Sequence, residues 1–287
     1  MVKIVVPDDH PPVISESTAL ERLKRLGEAA VYTTAPESED ELIARIEDAE
    51  IVVNIRAYCR FTERVFDRSP RLRQLSVWGT GVDNVDLAAA RRRKVTVTNT
   101  PNIATESIAE HTLALMLAVA REVPQIDRKV RAGEWPRGLV MQLHGNTLGV
   151  IGTGAIGRQV AALGRSIGMK VVAWTFHPSP DKEKEYGVTY VGLEELLRNS
   201  DVVTIHLRLT DDSKGLIGRA QLEQMKPTAI LINTARGAIV DREALLDALQ
   251  RRRIAGAGLD VYHKEPIDAA DPLLSLDNVV LTPHSAG

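Results

Sequence analysis

The sequence predicts an α/β protein built from two doubly wound parallel-sheet domains with a cleft between them. Two observations predict this class. Short apolar segments alternate with helix-length periodic segments along the 287 residues, and one long apolar helix interrupts the alternation. Such alternation is typical of βαβ units, whose strands lie parallel in one sheet. The length also fits two domains of ordinary size.

The first third of the chain contains five apolar segments of strand length, with helical patterns between them, for example at 17–26 and 40–49. Each apolar run is short and bounded by polar or turn-forming residues, which favours strands over helices. The predicted strands are 3–6, 30–33, 51–55, 74–78 and 95–98.

A long helix is predicted from Thr105 to about Val123, and its continuously apolar centre indicates burial between domains or subunits. A second βαβ series begins after Gly145. Its predicted strands are 147–151, 170–174, 202–205, 229–233, 255–260 and 278–281.

The composition excludes several classes of protein. It is 44% hydrophobic and 26% charged with a formal net charge of -2, the profile of a soluble globular protein rather than a general nucleic-acid binder. No apolar run approaches the roughly 20 residues of a membrane span. The single cysteine, Cys59, allows no intramolecular disulfide, and the N-terminus lacks a signal peptide's apolar core. We therefore expect a cytoplasmic protein with no nucleic-acid, membrane or metal partner.

A glycine-rich loop follows the strand predicted at 147–151 and opens a helix. Its G-x-G-x-x-G pattern is formed by Gly152, Gly154 and Gly157. These glycines allow a tight turn, a close approach of the backbone to a pyrophosphate, and close packing of helix on strand. The strand-turn-helix context favours dinucleotide binding over the alternative, a purely structural glycine turn.

The next predicted strand, 170–174, is followed by Thr175, at a position where a dinucleotide-binding protein often has an acidic residue for the adenosine ribose. Threonine cannot repel a 2′-phosphate as a carboxylate would, and no arginine stands beside it to attract one. The choice between NAD and NADP stays open at this point, and NAD is marginally favoured.

Three polar residues follow late strands, at the edge of an open α/β sheet where ligands bind: Arg236, Glu265 and His284. Arginine can clamp a carboxylate through two parallel hydrogen bonds. Histidine donates protons near neutral pH, and a neighbouring carboxylate orients the imidazole and stabilises its charged form. Each residue alone also has an ordinary structural interpretation. Their shared location favours acid–base chemistry on a carboxylate-bearing substrate.

Ordered motifs run through nearly the whole chain and are highly specific. Through these motifs the chain resembles the D-isomer-specific 2-hydroxyacid dehydrogenases, of the phosphoglycerate, glyoxylate and hydroxypyruvate reductase type. The motifs are Gly79-Thr80-Gly81-Val82-Asp83-Asn84-Val85-Asp86, Asn99-Thr100-Pro101, Glu106-Ser107-Ile108-Ala109-Glu110-His111, the glycine loop, Ile232-Asn233-Thr234-Ala235-Arg236-Gly237, Gly256-Ala257-Gly258-Leu259-Asp260-Val261 and Thr282-Pro283-His284.

The resemblance implies hydride transfer between NAD(P)H and a small 2-ketoacid or D-2-hydroxyacid. It implies that Arg236 binds the substrate carboxylate, that Glu265 and His284 form the acid–base dyad, and that Asp260 holds the nicotinamide carboxamide. The implied substrate loop is Thr80, Gly81 and Val82. The implied cofactor contacts also include Thr105, Gly152, Gly154, Ala155, Ile156, Gly157, Thr175, Thr234 and Ala235.

The resemblance further implies a flavodoxin-like substrate domain, 1–98 plus 283–287, and a Rossmann cofactor domain, 99–282. A homodimer built around the long helix is also implied. The chain ends three residues after His284, where relatives continue into a helix, so both a truncated chain and a shortened member stay open. The alternative function is a nicotinamide-sensing corepressor on the same fold, in which cofactor binding controls protein contacts instead of turnover.

Overall fold

A computed structural model describes residues 1–56 and 58–287, which divide into two compact units, Met1–Ile103 and Ala104–Gly287. Both units are α/β, and every strand pair within each sheet is parallel. The predicted fold class is therefore confirmed. No helix among the described residues has the length and apolar character needed to cross a bilayer.

The first unit is a five-stranded sheet in the order β2-β1-β3-β4-β5, the flavodoxin-like order. Its core lies under the sheet, around the buried side chains of Phe61, Phe66 and Leu75. The five predicted strands are confirmed, with ends that differ by up to two residues. The elements are β1 Lys3–Val6, α1 Thr18–Leu26, β2 Glu28–Val31, α2 Glu39–Ile46, β3 Ile51–Asn54, α3 Glu63–Asp67, β4 Gln74–Val77, α4 Leu87–Arg92 and β5 Thr96–Asn99.

The second unit opens with two helices, α5 Thr105–Ala120 and α6 Val123–Arg131. The sequence predicted a helix from Thr105 to about Val123, which α5 confirms with an end three residues earlier, whereas α6 was not predicted. The break falls at Glu122, whose φ of 52° is left-handed, and Pro124 in the first turn of α6 cannot continue the hydrogen bonds of α5. α5 packs closely on the strand Gly256–Leu259 because its glycines make room: a Cβ at Gly258 would lie 3.1 Å from that of Leu115.

The sheet of the second unit has seven strands in the order β12-β11-β10-β9-β6-β7-β8, a Rossmann order extended by one strand. Its six predicted strands are confirmed, and the two-residue edge strand β8 was missed. The elements are β6 Thr147–Ile151, α7 Ala155–Ser166, β7 Lys170–Trp174, α8 Pro180–Tyr186, β8 Thr189–Tyr190, α9 Leu193–Asn199, β9 Val202–Ile205, α10 Arg219–Gln224, β10 Ile230–Asn233, α11 Arg242–Gln250, β11 Gly256–Leu259 and β12 Val279–Leu281, with 3-10 turns at Gly237–Ile239 and Pro272–Ser275.

The two units differ from the expected domains at two points. The boundary falls after Ile103 rather than after residue 98, and residues 283–287 belong to the second unit. Hydrogen bonds explain the second difference. The His284 N–H donates to the Asp260 carbonyl at 2.8 Å, and the N–H groups of Ser285 and Ala286 donate to the Asp260 carboxylate.

Candidate active site

The sheet register of the second unit places three predicted residues at one edge. Asn233, Leu259 and Leu281 are aligned neighbours at the carboxyl ends of β10, β11 and β12. Arg236, Glu265 and His284 follow these three strand ends in turn. Parallel strands lie about 4.8 Å apart. The strand order therefore brings together side chains that are distant in sequence.

Glu265 and His284 form a close pair. His284 Nδ1 lies 2.7 Å from Glu265 Oε2, and the Tyr262 N–H donates to Glu265 Oε1 at 2.9 Å. An ionised carboxylate only accepts, so the proton of this bond is on His284 Nδ1. The opposite ring nitrogen, Nε2, then accepts a proton in the neutral imidazole and donates one in the charged form. The side chains of Glu265 and His284 are 18% and 31% exposed, which leaves the ring within reach of a small molecule.

The charge state of Glu265 is set by opposing effects. Burial raises the pKa of its carboxyl, whereas the hydrogen bond and charge of His284 lower it. The Tyr262 N–H and the positive charge of Arg236 lower the pKa further, and the net pKa is below the ordinary value. The carboxylate is therefore ionised at neutral pH and stabilises positive charge on the neighbouring imidazole.

Arg236 lies at the start of the 3-10 turn after β10, with an extended backbone. Its Nη1 donates to the Ala235 carbonyl at 2.8 Å, and its charge acts on Glu265. The turn is tight because Gly237 packs against the next loop: a Cβ there would lie 2.2 Å from the carbonyl carbon of Tyr262. The loops that carry Arg236 and Glu265 are therefore in direct contact.

Asp260 is fully buried, and its carboxylate accepts hydrogen bonds from the protein itself. Oδ1 accepts from Thr282 Oγ1 at 2.6 Å and from the Ser285 N–H at 2.9 Å, and Oδ2 accepts from the Ala286 N–H at 3.1 Å. His111 Nε2 lies 3.5 Å from Oδ1. The structure thus places Asp260 beneath the turn that carries His284.

The glycine loop fits a pyrophosphate. Gly152 has a φ of 94°, and a Cβ there would lie 2.7 Å from the carbonyl oxygen of His206. A Cβ at Gly157 would lie 1.9 Å from the Gly152 carbonyl oxygen, so only glycine lets α7 start this close to the loop. Gly154, by contrast, faces open space, with nothing within 4 Å of such a Cβ. The N-terminus of α7, which begins with Ala155 and Ile156, can therefore meet an anion.

A cavity of about 600 Å³ adjoins the end of β7, where the sequence placed the adenosine ribose. Among the described residues that line it, the charged one is Glu195, which is exposed on α9. Trp174 and Phe176, which precede and follow Thr175 in the sequence, pack edge to face with their ring centroids 4.9 Å apart. The lining residues are Trp174, Thr175, Phe176, Pro178, Tyr190, Val191, Gly192 and Glu195.

The remaining predicted residues occupy both units. Thr234 is buried at the end of β10, with its hydroxyl 3.0 Å from that of Thr112, and the Ala235 N–H donates to the Asn233 side chain. Thr105 is the first residue of α5. In the first unit, Thr80, Gly81 and Val82 form the loop after β4, which is held by hydrogen bonds from Asn99 Nδ2 and the Asn102 N–H to Thr80.

Sequence reasoning missed the residues of α5 that contact the turn at His284. Ser107 Oγ donates to the Ala286 carbonyl at 2.8 Å, and His111 Nε2 lies 2.9 Å from Thr282 Oγ1. Both residues belong to the motif Glu106-Ser107-Ile108-Ala109-Glu110-His111, which by itself assigns them no contact. Their spacing of four residues was a usable signal, since it puts two polar side chains on one face of α5.

Known proteins resemble this chain in sequence and in structure. Residues 113–286 match the model of the D-isomer specific 2-hydroxyacid dehydrogenase, NAD binding domain. A glyoxylate reductase of Korarchaeum cryptofilum is 44% identical over 258 residues, covering 88% of this chain and 77% of that protein. The crystal structure of D-lactate dehydrogenase from Aquifex aeolicus with NAD and lactic acid has a TM-score of 0.86 at 33% identity, covering 99% of this chain and 88% of that one. An acyclic imino acid reductase in complex with NADPH and D-arginine has a TM-score of 0.86 at 31% identity, covering 99% and 90%.

Proposed function

The chain belongs to the D-isomer-specific 2-hydroxyacid dehydrogenase family, and we propose that Arg236, Glu265 and His284 act on a small 2-ketoacid such as glyoxylate. The protein is an NAD(P)-dependent oxidoreductase: the nicotinamide supplies a hydride to the carbonyl carbon of the ketoacid and takes one from the hydroxyacid. The observation that carries the proposal is the 2.7 Å contact of Glu265 with His284 beside Arg236.

His284 is the proton donor in this proposal. Glu265 holds the Nδ1–H, so Nε2 is the nitrogen that gives a proton to the carbonyl oxygen during reduction and takes it back during oxidation. The carboxylate keeps the ring in one orientation and stabilises its charged form. Positioned proton transfer of this kind contributes about 10²–10⁴-fold to a rate.

Arg236 binds the substrate carboxylate in this proposal. Its guanidinium can give two parallel hydrogen bonds to a carboxylate, which fixes the plane of the ketoacid as well as its position. The loop of Thr80, Gly81 and Val82 in the first unit is proposed as the second anchor, through its backbone N–H groups. That assignment follows from the family resemblance and stays a prediction, as does the cleft between the domains.

The cofactor is NAD or NADP. We propose that Gly152, Gly154 and Gly157 with the start of α7 hold its pyrophosphate, because these positions leave the backbone open to an anion. Thr175 is proposed to lie at the adenosine ribose. Thr105, Thr234, Ala235 and the contact of Asp260 with the carboxamide stay predictions.

We also propose a homodimer. Apolar side chains are exposed along α5, α6 and the segment that follows, which is more than isolated surface residues require. Light scattering after gel filtration measures the assembly directly, and a monomer would contradict the proposal. The exposed apolar residues are Leu117, Val123, Val130, Trp135 and Leu139.

Cytoplasmic location and the lack of nucleic-acid and membrane partners stay predictions.

The proposal is tested by oxidation of NADH and NADPH with glyoxylate, hydroxypyruvate and pyruvate. We expect His284→Asn to lower kcat by about 10²–10⁴-fold. Arg236→Lys keeps the charge but loses the planar fork, so kcat/KM for the ketoacid should fall by about 10- to 100-fold, mainly through KM.

Arg198→Ala is the matched control, since Arg198 is paired with Glu194 on the surface of the same unit. Full turnover by both active-site variants would remove these residues from the mechanism. Tight NADH binding by the wild-type protein without turnover of any ketoacid would favour the sensing alternative.

A further inference from the structure

We propose that Ser107, His111 and Thr282 are positioning residues through which helix α5 fixes the turn that carries His284. This inference rests on the proposed function, because it matters only where His284 is the proton donor. The three side chains do not touch the dyad itself. His111 and Thr282 act on the backbone of the turn by way of the carboxylate of Asp260, whereas Ser107 binds the Ala286 carbonyl directly.

The turn at His284 needs such support. The φ of His284 is 55°, a left-handed conformation that residues other than glycine adopt sparsely. A backbone of this kind persists only where its surroundings hold it. Here the His284 N–H donates to the Asp260 carbonyl at 2.8 Å, and the next two N–H groups donate to the Asp260 carboxylate. The direction in which the imidazole leaves the chain therefore depends on where Asp260 is held.

The hydrogen bonds from α5 to Asp260 have a fixed direction. The hydroxyl of Thr282 has one proton, and Asp260, as a carboxylate, can only accept it. Thr282 Oγ1 must then accept at its 2.9 Å contact with His111 Nε2, so that nitrogen carries a proton. The result is a chain in which His111 donates to Thr282 and Thr282 donates to Asp260. Each bond polarises the next in the same direction.

The other end of the turn is held from the same helix. Ser107 Oγ donates to the Ala286 carbonyl at 2.8 Å, two residues beyond His284. Ser107 and His111 are four residues apart, so they lie one above the other on one face of α5. That face thus binds the turn both before and after His284, at Thr282 and at Ala286.

Helix α5 is suited to this role because it is itself firmly packed. Besides the close approach of Leu115 to Gly258, a Cβ at Gly256 would lie 3.1 Å from Val119 Cγ1, so the helix rests on the backbone of β11. β11 ends directly before Asp260. The helix, the strand and the turn therefore form one rigid support, as a proton donor requires when small misplacements are costly.

Kinetics of matched variants test the proposal. Thr282→Val keeps the shape of the side chain but removes the hydroxyl, and His111→Phe keeps a ring but removes the donor. Each should lower kcat for ketoacid reduction by about 10- to 100-fold. Thr282→Ser and His111→Gln, which retain a donor at each position, should recover most of the rate.

Thr204→Val is the matched control. Thr204 is a buried threonine whose hydroxyl lies 2.9 Å from His206 Nε2, so the variant breaks the same kind of bond away from Asp260. Its kcat should match that of the wild-type protein. A fall in kcat equal to that of Thr282→Val would mean that any lost threonine–histidine bond has this effect, which would overturn the proposal.

Two further measurements separate positioning from a general loss of structure. The double variant His111→Phe/Thr282→Val should be no slower than the slower single variant, because both act through one chain. In the protein without cofactor, amide hydrogen exchange at Ser285 and Ala286 should accelerate in both single variants. This readout does not depend on turnover.

The outcomes distinguish the two proposals. Losses that add up in the double variant, or exchange at Ser285 and Ala286 equal to the wild-type rate, would overturn the positioning role even if His284→Asn is inactive. If His284→Asn retains full turnover, the proposed function fails first, and the role of α5 in catalysis fails with it.

Discussion

Replacing Glu265 by glutamine tests whether its carboxylate governs proton donation at His284. The pKa of the Glu265 carboxyl is raised by burial but lowered overall, first by its hydrogen bond to His284 and then by the charge of that ring. Such coupling is reciprocal, so the carboxylate stabilises the protonated imidazole by the same free energy. Glutamine keeps the size and a hydrogen-bond acceptor at Nδ1, but it removes the charge.

The size of the effect follows from the geometry. A hydrogen bond to a charged group contributes about 1.5–3 kcal/mol. Because the two side chains are 18% and 31% exposed, solvent screens part of their attraction, and we take the lower half of that range. One pH unit corresponds to about 1.4 kcal/mol. Loss of the charge should therefore weaken the interaction of the two side chains by about 1.5–2 kcal/mol, which is roughly tenfold in rate where this interaction limits proton donation.

The sign is fixed by the direction of the reaction. Reduction needs the protonated ring, which Glu265→Gln destabilises, so the alkaline limb of kcat/KM for reduction moves to lower pH. Oxidation needs the neutral ring, so its acidic limb also moves to lower pH, and the variant gains relative activity on the acidic side. Stopped-flow reduction and oxidation across the pH range measure both limbs. Glu194→Gln, the same charge change at a surface ion pair, should leave them in place. If both limbs of Glu265→Gln coincide with those of the wild-type protein, the carboxylate does not act through His284.

Three further substitutions probe the glycine loop and the first unit. Gly157→Ala places a Cβ 1.9 Å from the Gly152 carbonyl oxygen and should lower both the melting temperature and NADH affinity. The Cβ that Gly154→Ala adds has no atom within 4 Å, so the melting temperature of this variant should stay at the wild-type value. Its NADH binding, measured by fluorescence titration, should be weaker. Equal melting temperatures for the two glycine variants would contradict the packing argument. Asp9→Asn should cost about 1–3 kcal/mol of unfolding free energy, because this buried carboxylate accepts from three N–H groups and Ser15 Oγ. Burial raises the pKa of Asp9, but these hydrogen bonds lower it overall. The contribution of Asp9 to the free energy of unfolding is therefore present above the ordinary pKa of 3.8 and lost as the pH falls below it. In urea unfolding the difference from wild type should therefore shrink as pH falls from about 5 to 3, and a constant difference would be inconsistent with it.

Local sequence patterns predicted most of the fold because most of its elements are locally encoded. The longer strands of the second sheet are mostly apolar, as is typical of strands covered on both faces. The edge strand β8 has only two residues and no such run, so no pattern could reveal it. Helix α5 ends at Ala120, shortly before the left-handed Glu122, and the helical pattern ahead of that residue carries no sign of its conformation.

The candidate site was predictable to the extent that it follows strand ends. Arg236, Glu265 and His284 could be identified because strand order alone brings the ends of β10, β11 and β12 together. The support from α5 could not be foreseen in this way. His111 and Thr282 are 171 residues apart, and their contact depends on the exact seating of a helix on a sheet. For the same reason the sequence did not reveal that the Asp260 carboxylate binds the turn after β12.

The order of strands also separates substitutions that weaken cofactor binding from substitutions that lower kcat. The glycine loop follows β6, whereas the acid–base residues follow β10, β11 and β12, and β9 lies between these two parts of the sheet. Gly157→Ala should therefore act on cofactor affinity and Thr282→Val on kcat, with no shared partner among the contacts described for them. Effects of distant, independent sites add within about 0.5 kcal/mol. The double variant Gly157→Ala/Thr282→Val should accordingly show the sum of both losses in kcat/KM. The losses of His111→Phe and Thr282→Val should not add in their double variant. This contrast between the two double variants distinguishes residues that act through one hydrogen-bonded chain from residues that act independently.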